Sequence, residues 1–485
     1  MLDAGMIEVR NFINGKAGFG YSGSFECSTP FSAQKLGDEN KCSKYSLPNS
    51  SVADVGFALS AARLAYSFTS ALSFSQRMDV LLTAAKNFVV AQEHENFIVA
   101  STGMPVKFVR QRFEIGIQLM LCLADICAER YGVQDDMFVR TVYRDAAVVG
   151  HELRLAREGP VSVFLPPNDP AEPFFIFSHA VLSGQSLVVK PSHAEPLTSV
   201  VLAQALTQAG YPDGGLNVVH WNSADKARAL LGFYLCRETP LRIVMGNTAS
   251  VQSLLSGQAS EESGEVVSGT TIQFCAGHTA CVVFDDADFE RAAEHIVKSA
   301  YEWTIDCVSA KTVVVVGLQA RDKLLVHLKE LVSKKVVGSP FDEATDIGYV
   351  PAQTLSALDE VLRGQREFGA VHHHVQYNKL SSVQVAPVLC EAVSLNFPLF
   401  GQEAPYVLTL YVCASERELP GVLEKLRDIL PGKRMGIGIY TGRCFNSVMP
   451  LLRKCHSHLV FFNTSTINLN FALAHQDVFL SDELL

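Results

Sequence analysis

Charge is scarce in this 485-residue chain: Asp, Glu, Lys and Arg make up 19% of it, and the net charge is −10 with no basic cluster. A nucleic-acid partner or an anionic membrane surface therefore has no electrostatic footprint to meet. No run of about 18 uninterrupted apolar residues occurs, which excludes an ordinary membrane-spanning helix. The opening, Met1-Leu-Asp-Ala-Gly-Met-Ile-Glu-Val-Arg10, lacks the basic region and apolar core of an export signal, so a soluble, cytoplasmic protein is expected. The 12 cysteines form no CxxC pair and follow no metal-ligand rhythm, which predicts reduced thiols and no structural zinc. No GxGxxG follows a predicted strand, so the common dinucleotide fingerprint is absent. Solenoid-period repeats and long low-complexity tracts are absent too.

What is present is an ordinary globular composition, 48% hydrophobic, in a chain long enough for two or three domains. Residues 10 to 60 mix short apolar pieces with Gly, Ser, Asn and Pro and read as an irregular arm carrying a few strands. From Val52 to about Gly132 the spacing turns helical: Ala58, Ala61, Ala62, Ala65 and Tyr66 form one stripe, and Met78, Val80, Leu81, Ala84, Ala85, Phe88 and Val89 another. Residues Arg140 to Arg157 alternate as a hairpin, which needs a partner for its edge. Then βα alternation begins, with strands at Val161–Leu165, Leu187–Val189, Leu216–His220 and Leu241–Met245, and helices from Ala171 to Ser183 and from Leu197 to Ala209. Continuous apolar strands without a period of two require helices on both faces, the mark of a doubly wound parallel sheet. The Ser-, Gly- and Glu-rich stretch 256–269 reads as a link to a second α/β unit, from 270 to about 463.

Such a sheet binds ligands at the carboxyl ends of its strands, where loops and helix N-termini present backbone amides. Three loops qualify. In Pro166-Pro-Asn-Asp-Pro170 the Asn168 amide is a candidate oxyanion donor. Lys190-Pro-Ser-His193 offers a cation and a hydroxyl to phosphate or ribose, and Gly246-Asn-Thr248 follows the last of these strands. In the second unit, Cys307 lies between an amphipathic helix and a β-branched strand, the setting of a fixed nucleophile. His372-His373-His374 has no acidic or Cys partner at a useful spacing and reads as a strand or loop face, not a metal tract. Cys122 and Cys127, in an apolar helical stretch, are expected in the core.

Taken in order, these loops resemble the aldehyde dehydrogenase superfamily over nearly the whole chain. Phe12-Ile-Asn-Gly-Lys16 is similar to that family's opening, and the stretch from Arg157 to Pro170 to its Pro-Trp-Asn-x-Pro segment. Ser183-Gly-Gln-Ser-Leu-Val-Val-Lys-Pro-Ser192 with Glu195-Pro-Leu-Thr198 is the strongest match. Gly210-Tyr-Pro-Asp-Gly-Gly-Leu-Asn-Val-Val219, Met245-Gly-Asn-Thr248 and Val283-Phe-Asp-Asp-Ala-Asp288 continue the order. The resemblance implies two doubly wound domains and a small oligomerisation hairpin. These are a dinucleotide-binding domain over 1–269 with the hairpin at 138–158, a catalytic cysteine domain over 270–463, and a segment 464–485 returning to the oligomerisation region. A homodimer or higher homo-oligomer is expected. It further implies NAD or NADP as cofactor and an aldehyde as substrate. Cys307 would be the nucleophile, forming a thiohemiacetal and then a thioester, with Asn168 on the oxyanion. Pro166 would border the cofactor, Lys190 and Ser192 would face its adenosine side, Gly246 and Asn247 its pyrophosphate, and Glu403 its nicotinamide ribose.

The chain departs from that pattern at several points. The family's Glu-Leu-Gly-Gly-Lys, whose Glu activates water, appears as Gln273-Phe-Cys-Ala-Gly-His278, and neither Gln273 nor Phe274 is a general base. Trp303-Thr-Ile-Asp-Cys307 is similar to the segment before the cysteine in the coenzyme-A-acylating branch, where a thiol takes the acyl group. Phe400-Gly-Gln-Glu-Ala-Pro405 supplies Glu403 only in a shifted register, and His193 stands where a ribose-binding Glu is common, which leaves NAD and NADP both open. The expected activity is aldehyde oxidation through Cys307, with coenzyme A as the alternative acyl acceptor to water. The competing expectation is a catalytically impaired relative with a binding or assembly role.

Overall fold

The computed structural model describes the whole chain other than residues 1–6, 19–22, 32–43, 145–146, 154, 226, 229, 247, 257–267, 276–278, 303–309, 364–370, 376–377, 402–403, 430–435, 453–459 and 468–477. It divides into two compact units. One comprises residues 1–101, 110–275 and 470–485; the other, 102–109 and 276–469.

The first unit begins with five short strands: β1 (Ile7–Glu8), β2 (Asn11–Ile13), β3 (Lys16–Gly18), β4 (Ser24–Ser28) and β5 (Lys44–Pro48). Four helices follow, α1 (Val52–Thr69), α2 (Phe74–Asn87), α3 (Gln92–Thr102) and α4 (Val106–Tyr131), and then β6 (Val133–Gln134) and the antiparallel hairpin β7 (Met137–Arg144) and β8 (Ala147–Leu153). The βα alternation runs β9 (Val161–Phe164), α5 (Glu172–Ser183), β10 (Leu187–Lys190), α6 (Leu197–Gln208), β11 (Leu216–Val218), α7 (Leu231–Arg237), β12 (Leu241–Gly246), α8 (Thr248–Ser256) and β13 (Thr270–Cys275).

The main sheet has the order β13-β12-β9-β10-β11-β2-β3. Its first five strands are parallel, and β2 and β3 close one edge in antiparallel register. Every residue of β9 and β11 is buried, as strands covered on both faces require. Helix α1 starts at a capping box, with the Ser51 hydroxyl accepting from the Asp54 N–H and the Asp54 carboxylate accepting from the Ser51 N–H. Its Val55, Ala58, Leu59 and Ala62 join Phe164, Val188 and Trp221 in one core cluster. Helix α5 is buried along its whole length and packs against α2 and α6. It stops at Gly184 in the left-handed region (φ 72°), where a Cβ would lie 2.6 Å from the Arg77 guanidinium.

The second unit is a seven-stranded sheet built from β14 (Thr279–Val283), β15 (Ala310–Val316), β16 (Val371–Val375), β17 (Val388–Ala392), β18 (Val407–Cys413), β19 (Ile437–Tyr440) and β20 (Val460–Phe462). Its order is β16-β17-β18-β15-β14-β19-β20, parallel except at β16. Helices Phe289–Glu302, Leu318–Ser333 and Leu419–Ile429 bury Ile296, Leu324 and Leu423 in its core. No helix among the described residues is long and apolar enough to cross a membrane.

Several element ends shift by a residue or two from the sequence reading, and three differences matter more. Strand β13 pairs with β12 along its whole length, so the first unit runs to Cys275 and not to 269. Helix α8 ends at Ser256 and β13 starts at Thr270 in the same sheet as β12, a connection that composition alone does not distinguish from a link between domains. The strand expected at Leu216–His220 ends at Val218 because the His220 N–H turns to the Asn11 side chain (2.9 Å). Cys122 is only partly buried, while Cys127 is fully buried.

Candidate active site

Three of the expected loops leave the main sheet at one edge. Parallel pairing sets Phe164 opposite both Lys190 and Val244, and Gly246 opposite Cys275. The segments that begin at Leu165, Pro191 and residue 247 therefore emerge side by side, at the carboxyl ends of adjacent strands. The Leu165 N–H donates to the Lys190 carbonyl at 3.1 Å and ties the first two loops together.

The first loop is held from below by an ion pair. Arg112, in the second turn of α4, donates through Nε to Asp169 Oδ1 at 2.9 Å and through a second nitrogen to Oδ2, with both side chains buried. Asp169 Oδ1 also accepts from the Ala171 N–H (2.8 Å) and the Asp169 carbonyl from the Glu172 N–H (3.1 Å). A short acidic side chain at a helix entry satisfies donors that have no partner within the helix. Pro166 and Asn168 are partly exposed on this loop. The Asn168 Nδ2 donates to Glu172 Oε1 at 3.4 Å.

The second loop carries Lys190, whose ammonium lies over the Trp221 ring, 5.6 Å from its centroid. Burial pushes Lys190 down to about 8, and Cys27 acts weakly the other way. Among the described residues no carboxylate pairs with it. His193 donates through Nε2–H to the Trp221 carbonyl (2.7 Å), stacks edge-on with Phe25, and receives the Tyr45 hydroxyl on its carbonyl (2.8 Å). Burial and the nearby Lys190 charge push His193 down to about 4, and burial with the same neighbour pushes His220 to about 3. Both imidazoles are neutral at pH 7. The Ser192 hydroxyl accepts from the Ala194 N–H, and Glu195 accepts from the N–H and hydroxyl of Thr198, capping α6.

The third loop starts at Gly246, with φ of 147° and open space where a Cβ would stand. Asn247 lies outside the described residues, as do Cys307 and Glu403. The helix Phe289–Glu302 ends five residues before Cys307, and β15 begins three residues after it. Of the two residues that the resemblance sets against the family's general base, Phe274 is buried against the Phe175 ring (5.8 Å between centroids) and Gln273 is exposed on the other face of β13. His374 of the triple-His stretch bonds Glu391 at 3.0 Å, and no group of three metal-ligating side chains occurs among the described residues.

The sequence reading passed over Arg112, Asp169 and Glu172. Arg112 is one of several charged residues near the start of α4, beside Lys107, Arg110 and Glu114, so its pairing with an acid next to Pro170 shows only once the helix and the loop are brought together.

The family model described as aldehyde dehydrogenase matches residues 37–404. The chain belongs to the aldehyde dehydrogenase family. A betaine aldehyde dehydrogenase of Brucella ovis is 32% identical over 190 residues, 39% of this chain and 37% of that protein. The chain thus spans little more than a third of the length of the curated relatives it matches. The fold is shared with a NAD-dependent benzaldehyde dehydrogenase from Corynebacterium glutamicum (TM-score 0.78, 18% identity, 100% of this chain and 97% of that one). It is shared also with a methylmalonate-semialdehyde dehydrogenase from Oceanimonas doudoroffii (TM-score 0.76, 19% identity, 94% and 90%).

Proposed function

We propose that this aldehyde dehydrogenase family member is an NAD(P)-dependent oxidoreductase that takes an aldehyde onto Cys307. The observation that supports it most is the common edge where the Asn168, Lys190 and Gly246 loops leave adjacent parallel strands. A cofactor fits the residues described there. A desolvated ammonium with no carboxylate partner among the described residues suits a phosphate or ribose, and a Cβ-free position at a strand end lets a ligand approach the backbone. Lys190 and Ser192 would hold the adenosine side, Gly246 and Asn247 the pyrophosphate, Glu403 the nicotinamide ribose, and Pro166 would border the ring. NAD(P), when bound, supplies the hydride acceptor that turns the thiohemiacetal into a thioester.

The chain's own residues do the rest. The Cys307 thiolate attacks the aldehyde carbon, and the Asn168 amide with the Cys307 N–H holds the oxygen as negative charge gathers on it. Release of the acyl group then needs a nucleophile. With Gln273 exposed and Phe274 packed into the core, no carboxylate stands at the base position to activate water. The thiol of coenzyme A would attack the thioester carbonyl instead, and the Cys307 thiolate would leave. The hairpin β7–β8 would pair two copies, giving a homodimer or a higher homo-oligomer.

Stopped-flow measurement of NAD(P)H formation across an aldehyde panel tests the proposal, with and without coenzyme A and alongside Cys307→Ala. The expected result is a single-turnover burst that becomes multiple turnover only with coenzyme A and vanishes in the variant. Steady turnover without coenzyme A would mean that another group activates water. No burst with either cofactor would leave a folded relative with a binding or assembly role.

A further inference from the structure

The ion pair between Arg112 and Asp169 fixes the backbone on either side of Asn168, but it does not fix the direction of the Asn168 amide. The last torsion of an asparagine is broad and roughly two-fold, so the backbone alone leaves the amide oxygen and nitrogen interchangeable. An oxyanion donor works only with nitrogen forward, because a carbonyl oxygen in its place repels the developing charge. Among the described residues, a neighbour that breaks this symmetry is Glu172, in the first turn of α5, 8% exposed, its Oε1 3.4 Å from Asn168 Nδ2. A carboxylate accepts from the amide nitrogen and repels the amide oxygen. Asp169 meanwhile holds the turn by its own contacts to the Ala171 and Glu172 N–H groups, so Asn168 and Glu172 face one another across a braced loop. An acid at this place is favoured in its own right by the positive end of the helix.

We infer that Glu172 is a positioning residue that sets the direction of the Asn168 amide: it takes one of the two N–H hydrogens and thereby fixes where the other points. The inference rests on the reading of Asn168 as oxyanion donor. It adds a carboxylate to the site, in the role of orienting a donor and not of activating water.

The test uses the full chain with Glu172→Ala, Glu172→Gln, Asn168→Ala and the Asn168→Ala/Glu172→Ala pair, reading the burst rate of hydride transfer, KM and the neutron crystal structures of the wild type and of Glu172→Ala, in which the amide hydrogens are seen directly. Loss of one hydrogen bond that orients a donor is expected to slow the burst about tenfold in Glu172→Ala with KM unchanged. Glu172→Gln, whose amide donates as well as accepts, keeps the contact but loses the bias toward nitrogen, and should recover only part of that rate. In the Asn168→Ala background, removal of Glu172 should cost nothing further, since the two act as one unit. Losses that multiply across the pair would overturn the inference. So would an Asn168 amide that keeps its direction in the Glu172→Ala crystal structure, a readout independent of turnover. A burst unchanged by Asn168→Ala would instead remove the oxyanion reading, and the two crystal structures would still decide whether Glu172 sets the amide.

Discussion

Lys190 holds a charge in a place that taxes it. An exposed lysine keeps its proton to about 10.4, whereas burial brings this one to about 8. The folded chain gives up the proton near pH 8 and the unfolded chain near 10.4, so between those values the unfolded state binds more protons and stability rises with pH. The affinity for an anionic cofactor group should run the opposite way, because it needs the cation. We expect NAD(P)H binding, followed by quenching of tryptophan fluorescence, to weaken by about tenfold from pH 6.5 to pH 9.5 as one charge-assisted contact is lost. Lys190→Ala should bind weakly at both values. A wild-type titration flat across this range would detach Lys190 from the cofactor. The residue itself was legible, since a lysine at the end of an apolar strand stands out. Its setting was not, because Trp221 reaches it from beyond β11, while Tyr45 and Phe25 reach the neighbouring His193 from other strands of the unit.

At the scale of elements, the strand ends were read to within a residue or two because β9, β10 and β12 are continuous apolar runs with abrupt polar ends. Strand β13 was misassigned to the second unit, since pairing partners are set by register and a single sequence does not display register. Helix α7 was missed for a related reason: its seven residues, Leu231–Arg237, are too few to show a period. The largest omission was the bracing of the 166–171 loop by α4. Arg112 and Asp169 lie 57 residues apart, and nothing local links them. Breaking such a pair strands a charge in the interior, so Arg112→Met should lower stability by about 3 to 5 kcal/mol in urea denaturation. The same variant should disturb the Asn168 loop more than the hairpin β7–β8, as hydrogen exchange would report. An exchange pattern unchanged in the loop would mean that the pair braces the core without bracing the site.

At the scale of the molecule, the first unit is finished by residues far from the rest of it in sequence. The helix Leu480–Leu484 buries Leu480 and Leu484 completely, and the Leu484 carbonyl accepts from the Arg157 N–H and from Gln185 Nε2, both at 2.9 Å. Asp482 receives the Tyr131 hydroxyl at 2.6 Å and pairs with Arg130, and Ser481 meets His179 at 2.7 Å. Leu484→Ala should cost about 2 to 5 kcal/mol, visible as a shifted urea midpoint, and a stability equal to wild type would make the helix an ornament of the surface. The sequence offered few clues here, because a five-residue helix has no measurable period.

That arrangement has a consequence for synthesis. Residues 470–485 are made after the whole of the second unit, yet they belong to the first. A nascent chain that has emitted the first 275 residues must carry α4 and α5 with the seat of this helix uncovered while nearly two hundred more residues are added, at roughly 5 to 20 residues per second. For those seconds the earlier-made unit is a client for whatever shields apolar surface at the ribosome, and it comes to rest only when the helix Leu480–Leu484 swings back and locks it.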